Sequence, residues 1–307
     1  MTSPGEIVLV LGGAGFIGSR TVAALITAGR RVRVLDVARP DDLDPGIDWW
    51  TGSVFDRDLL RRALTGVEQV VDLSGGGKPG MNVGTLSGEI ATSLALSVET
   101  AEICKAAGIR RYVFPSSGGT VYGRSHARIL TEDAECRPIN AYGVTKLACE
   151  HYMRLLDSPE FRVVILRVAN PFGEGQRPAH GQGFIGAVFD AALKEESLEI
   201  WGDGSAIRDF VYIGDVADGF LRALDYDGAG TLFNIGSGHG RDLNSVIAAI
   251  LEETGLKVKI ELRPQRKVDI ESNVLDITRA RADLGWSPGT DFRTGLRLTA
   301  QWWSRRG

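Results

Sequence analysis

The stretch LVLGGAGFIGSR, residues 9–20, sets Gly12, Gly15 and Gly18 at three-residue spacing between an apolar run and the start of a helical pattern. A strand turning at once into a helix in this way commits the chain to a βα unit. Gly12 permits the tight turn, and Gly15 lets a pyrophosphate approach the backbone. Gly18 lets the helix pack on the sheet, while free N–H groups at the helix start face the anion. Any βα turn can be rich in glycine, so the next apolar run matters. RVRVLD ends in Asp36, where a carboxylate would accept hydrogen bonds from the ribose hydroxyls of a dinucleotide. That carboxylate would also repel a 2′-phosphate, which favours NAD over NADP. Arg39, three residues on, has the charge to bind such a phosphate.

The alternation continues through IVLVL (7–11), QVVDL (69–73), RYVFPS (111–116) and RVVILRV (162–168). These near-continuous apolar runs suit a parallel sheet covered on both faces. Helical patterns fall at 16–29, 56–65, 85–107 and 141–156, so the expected class is α/β, a doubly wound parallel sheet. After NPFGEGQRPAHGQG the rhythm shortens to a helix near 183–195, LEIWG, a helix near 215–225, TLFNIG and a helix near 243–254. Residues 1–170 are expected to form the dinucleotide-binding domain. Residues 171–307 are expected to be mainly a smaller substrate-binding region, interleaved with the sheet.

A net charge of −4 with scattered Arg pairs gives no basic face for nucleic acid. Three dispersed cysteines and four isolated histidines offer neither a disulfide framework nor metal-ligand spacing. No leader-like or membrane-spanning apolar run is visible, so a cytoplasmic protein is expected.

NAYGVTK places Tyr142 and Lys146 four residues apart, on one face of a helix. An ammonium beside a phenol lowers its pKa and makes it a usable acid or base near neutral pH.

The glycine triplet, a strand ending in two serines and Tyr-x-x-x-Lys together resemble the short-chain dehydrogenase/reductase superfamily. LRVANPFGEGQ, WGDGSAIRDFVYIGDVADG, FNIGSG and DITRARADLGWSP are similar to its extended branch, the nucleotide-sugar epimerases and dehydratases. The likeness is greatest to the UDP-glucose (UDP-galactose) 4-epimerase group. It implies a Rossmann sheet, NAD as a tightly held cofactor and a UDP-linked hexose, hexosamine or uronate as substrate. Tyr142 would take the proton of the sugar C4 hydroxyl, and Lys146 would hold the nicotinamide ribose. Decarboxylation, another epimerisation and a non-catalytic NAD-binding role remain alternatives. Phe16, Ile17, Val54, Leu73, Ser74, Gly75 and Ser93 complete the implied cofactor set.

The stretch FPSSGGTVYG (114–123) departs from the family pattern. A serine or threonine is usual four residues before the tyrosine of VYG, and here that position is Gly118. Ser117 or Thr120 is left to supply the hydroxyl. The acid and base carboxylates of the dehydratases are replaced by Gly119 and Thr120, which leaves epimerisation standing. Ser93 occupies the place of a supporting asparagine, and Ser53 that of an adenine-binding aspartate.

For the substrate, the resemblance implies Arg208 and Arg266 at the diphosphate, Asn170 at the sugar nucleotide, and Trp201 with Glu199 at the uracil. Asn273 would stand beside the sugar, where bulk limits an N-acetyl group; Arg177 in GQRPAH has the charge to meet a uronate, the alternative being an exposed loop arginine. The helices at 85–107 and 141–156 would form a homodimer interface, with Ala95, Leu96, Val98, Ala101 and Leu147 supplying apolar surface for it or simply for the core.

Overall fold

The computed structural model describes residues 6–41, 44–75, 86–125, 127–176, 183–265 and 270–305. Its centre is a seven-stranded parallel sheet of β1 (Ile7–Leu11), β2 (Arg31–Asp36), β3 (Asp48–Thr51), β4 (Val67–Asp72), β5 (Arg111–Ser117), β6 (Arg162–Val168) and β10 (Leu232–Ile235). The spatial order is β10-β6-β5-β4-β1-β2-β3. Chain order therefore reverses between β1 and β4, and the crevice at the carboxyl ends of those strands is where α/β sheets bind ligands.

Alternate residues of each strand feed two cores. Val8, Val10, Val34, Val71, Val113 and Val164 pack with Val22 and Leu25 of α1 (Phe16–Thr27) and with Val216 and Phe220 of α7 (Ile213–Asp225). Leu9, Leu11, Leu35, Val70, Tyr112 and Ile165 pack with Leu60 of α2 (Arg57–Ala63), Ala101 and Cys104 of α4 (Ala95–Ala106), and Cys149 and Met153 of α5 (Ala141–Leu156). Burial on both faces is why these strands read as continuous apolar runs.

A third core serves the C-terminal region. It joins α6 (Phe184–Leu193), β8 (Ser197–Trp201), β9 (Ile207–Tyr212), α8 (Leu243–Thr254) and α10 (Phe292–Ser304) through Ile185, Phe189, Ile200, Phe210, Val246, Ile250 and Leu296. Around it are β7 (Asn170–Phe172), β11 (Gly240–Asp242), β12 (Lys259–Arg263) and β13 (Ser272–Asn273), while α9 (Thr278–Asp283) packs through Ala280 on the main-sheet core. The chain returns from this region to add β10 to the main sheet and α7 to the face beside α1.

The expected long helix at 85–107 is broken. Leu86–Glu89 forms α3, Ile90–Leu94 is a π-helical turn, and α4 follows. Such turns within helices recur at functional sites. Ser93 is the buried residue of this one.

Candidate active site

The glycine turn has the shape its spacing implies. Gly12 has φ +79°, and a Cβ there would lie 2.6 Å from the Leu73 carbonyl oxygen. A Cβ at Gly18 would fall 2.1 Å from the Gly12 oxygen, so the helix start and the turn touch backbone to backbone. Gly15 is the N-cap of α1 and no side chain caps it. The N–H groups of the first turn are thus left for an anion, which fits a dinucleotide pyrophosphate. At the end of β2, Asp36 accepts the Ala14 and Ala38 N–H groups at 2.8 and 2.9 Å. Each oxygen keeps a lone pair with which to accept a ribose hydroxyl.

From this turn a cleft of about 510 Å³ runs across the carboxyl ends of β1, β4, β5 and β6. Gly12, Gly15, Phe16, Ile17, Gly18, Leu73 and Gly75 line one end. Tyr142 and Lys146 enter from α5, whose first turn is fixed by Asn140 accepting the Gly143 N–H at 2.8 Å. Lys146 is nine-tenths buried. Its Nζ donates to the Pro115 carbonyl at 2.9 Å, lies over the Phe114 ring at 4.8 Å and stands 5.8 Å from the Tyr142 ring centre. The ammonium thus sits within reach of the phenol, as the i, i+4 spacing requires.

The two serines ending β5 both line the cleft but differ in their partners. Ser116 donates to Glu150, which is fully buried and bound by Arg167 through Nε at 2.9 Å and Nη2 at 2.7 Å. Arg167 also lies 4.7 Å over the ring of Tyr122, whose hydroxyl donates to Asn234 at 2.6 Å. Burial pushes the Tyr122 phenol up to about 12, so it stays a neutral structural donor. Ser117 is partly exposed and lines the cleft, as does Thr120. The Thr120 Oγ1 is buried without a hydrogen-bond partner.

Gly118 lies outside the lining, and a Cβ there would be 2.6 Å from Leu275 Cδ1 and 3.0 Å from the Arg167 oxygen. Its carbonyl accepts from Asn273 Nδ2 at 3.0 Å. A Cβ on Gly119 would instead meet Asn170, with Oδ1 3.6 Å away.

Asn170 lines the cleft and donates to the Asp209 carbonyl at 3.0 Å. Arg208 lines it too, beside an apolar wall of Phe184, Phe210 and Leu243. The other expected residues are placed elsewhere. Glu199 on β8 pairs with Arg263 at 2.5 Å, and Trp201 is 42% exposed; neither lines the cleft. Asn273 is buried behind Gly118. Val54 packs against the core beneath the sheet, and the Ser74 hydroxyl donates to Asp72 at 2.5 Å. Arg266 and Arg177 lie outside the described residues. Among the described residues lining the cleft, Lys146 and Arg208 are the charged ones, and none is acidic.

The motifs did not disclose the apolar wall or the buried Glu150–Arg167 pair. A signal existed for the latter. Tyr142, Lys146 and Glu150 form an i, i+4, i+8 series, so a charge on that inward face needed a partner.

Residues 8–236 match the model of the NAD dependent epimerase/dehydratase family. The chain is 31% identical over 309 residues to a UDP-glucose 4-epimerase of Mycolicibacterium smegmatis, covering 97% of this chain and 98% of the relative. It is similar to the crystal structure of the Thermotoga maritima UDP-glucose 4-epimerase with UDP-glucose, with TM-score 0.91, 30% identity and coverage of 98% and 99%. It also resembles DesIV, a dTDP-glucose 4,6-dehydratase of Streptomyces venezuelae solved with NAD bound, with TM-score 0.89, 26% identity and coverage of 98% and 97%. The fold, the glycine turn and these likenesses agree: the chain belongs to the NAD-dependent epimerase/dehydratase family, and its cofactor is NAD.

Proposed function

We propose that the protein is a nucleotide-sugar 4-epimerase acting on a UDP-linked hexose, hexosamine or uronate. The observation that carries this reading is the cleft lining, which combines one tyrosine, two cations and the partly exposed Ser117 with no carboxylate among its described residues. Dehydration by the family's route needs a carboxylic acid and a carboxylate base beside the sugar in addition to the tyrosine, and among its described residues that lining has neither carboxyl group. Epimerisation needs a single proton acceptor and a way to present either face of the ring.

Gly12, Gly15, Gly18 and Asp36 would hold the dinucleotide, and Lys146 would meet its nicotinamide ribose. NAD bound there supplies reversible hydride acceptance at the sugar C4. Tyr142 removes the C4 hydroxyl proton, and the Lys146 ammonium stabilises the phenolate. Ser117, a lining residue of the cleft, would hydrogen-bond the reacting oxygen. Arg208 balances the diphosphate. Between Gly119 and the Phe184–Phe210 wall the keto sugar would turn, so that hydride would return to the opposite face of C4 and the proton to its oxygen. Two copies of the chain pair through α4 and α5, the latter exposing Val144, Tyr152 and Leu155.

The test is incubation of purified protein, without added NAD, with UDP-glucose, UDP-N-acetylglucosamine and UDP-glucuronate separately, products being resolved by chromatography and proton NMR. The C4 epimer of one of them establishes the reaction. Three unchanged sugars, with bound NAD verified, overturn it for this substrate class.

A further inference from the structure

Phe16 and Arg20 stand four residues apart on α1 and so share a face just past the glycine turn. The segment leaving β7 lies along that face. A Cβ on Gly175 would be 3.6 Å from the Phe16 ring, and Glu174 reaches Arg20 at 3.5 Å. The same carboxylate accepts the Tyr212 hydroxyl at 2.9 and 2.7 Å, one distance to each oxygen. Burial and the bond to Glu174 push the Tyr212 phenol up, so it remains a donor. The Glu174 side chain is only 13% exposed, against 36% for Arg20. A carboxylate so enclosed, between a guanidinium on α1 and a phenol at the end of β9, bridges the two regions of the molecule.

The segment's path is fixed independently of Glu174. Gly173 has φ +144°, and a Cβ there would strike Ile213 at 2.4 Å. Gln176 is tied at both ends of its amide, donating to the Pro171 carbonyl at 2.8 Å and accepting the Gly186 N–H at 3.0 Å. These ties hold the segment to the C-terminal region. Contact with α1 runs through Glu174 and the Phe16 ring. Phe16 itself lines the cleft beside the free N–H groups that face the pyrophosphate.

We propose that Arg20, Glu174 and Tyr212 form a latch that joins α1 to the C-terminal region over the bound dinucleotide and slows its release. Glu174 is its central positioning residue. The pair with Arg20 supplies the part that opens, because it is the longer and more exposed contact. The bond to Tyr212 keeps the carboxylate aimed at α1. This inference rests on NAD binding and is independent of which sugar reacts.

The experiment uses the holoprotein, Glu174→Gln, Arg20→Met and the double variant. Bound NAD is exchanged against excess etheno-NAD and followed by chromatography, and the unfolding midpoint of each apoprotein is measured alongside. Either substitution is expected to speed exchange about threefold, the scale of a partly exposed ion pair. The double variant is expected to be no faster than the faster single, with apoprotein midpoints unchanged. Exchange at the parent rate, independent multiplication of the two effects, or a fall in midpoint without faster exchange would overturn the latch, the last making Glu174 a structural prop. A holoprotein that carries no NAD overturns it outright. Sugar conversion is not read, so failure of the epimerase assignment leaves the result intact.

Discussion

Ser116 and Ser117 both line the cleft, but Ser116 is buried and committed to Glu150 while Ser117 is partly exposed. Ser117→Ala should therefore lower turnover about 10- to 100-fold, the cost of one hydrogen bond to a charged reacting oxygen. Ser116→Ala should act through stability instead. Steady-state kinetics beside denaturant midpoints separate the two. Tyr142→Phe should cost roughly 10²–10⁴-fold in turnover while NAD stays bound, checked by rate and by cofactor content. Gly118→Ser should not restore a missing catalytic group. Its Cβ meets Leu275 and the Arg167 carbonyl, so the expected outcome is a loss of about 1–3 kcal/mol in unfolding stability with no gain in rate. Tyr142 and Lys146 were legible in the sequence because i, i+4 proximity is local. The direction of Gly118 was not, since it depends on Leu275, a residue distant in sequence that fills the space beside it.

Helix ends carry a pH-dependent contribution beside the site. Asp242 caps α8 by accepting the Ser245 N–H at 2.9 Å, and this bond holds its carboxyl below the usual value. The folded pKa is the lower one, so the stabilisation is complete above the unfolded value near 3.9 and fades as pH falls through the folded one. Asp242→Ala should cost about 1 kcal/mol at neutral pH, with parent and variant converging in acid, as measured by urea unfolding across pH. Leu243, the next residue, lines the cleft, so a frayed α8 would also loosen that wall. At this scale the buried strands were readable because both faces demand apolar residues. β3 was not, because Asp48–Thr51 is a short edge strand, half-buried, with tryptophans at its centre. The π-helical turn at Ile90–Leu94 was hidden as well. Side-chain periodicity reports a helix but hardly registers one residue of added winding.

The whole molecule follows from where the chain crosses between its regions. Reversal of strand order beside β1 sets the cofactor crevice, and the return of β10 and α7 to the main sheet holds the substrate side against it. That construction leaves apolar residues of α5 exposed on the face it shares with α4. Val144, Tyr152 and Leu155 are 53%, 46% and 79% exposed there, at positions i, i+8 and i+11 of one helix. His151 is also exposed and Ala148 partly so, which makes a stripe along the helix rather than scattered residues. Singly exposed apolar side chains need no explanation, but a contiguous stripe marks an interaction surface. A second copy related by a twofold axis would bury both stripes in one four-helix contact, because such an interface is self-complementary. The protein should sediment as a dimer at micromolar concentration. Val144→Glu with Leu155→Glu should convert it to a folded monomer, with an unchanged far-ultraviolet circular dichroism spectrum. Val144 lies two residues from Tyr142, so the monomer should also lose turnover as the first turn of α5 loses its support. A parent protein that sediments as a monomer, or a double variant that remains dimeric, would remove this face as the subunit contact.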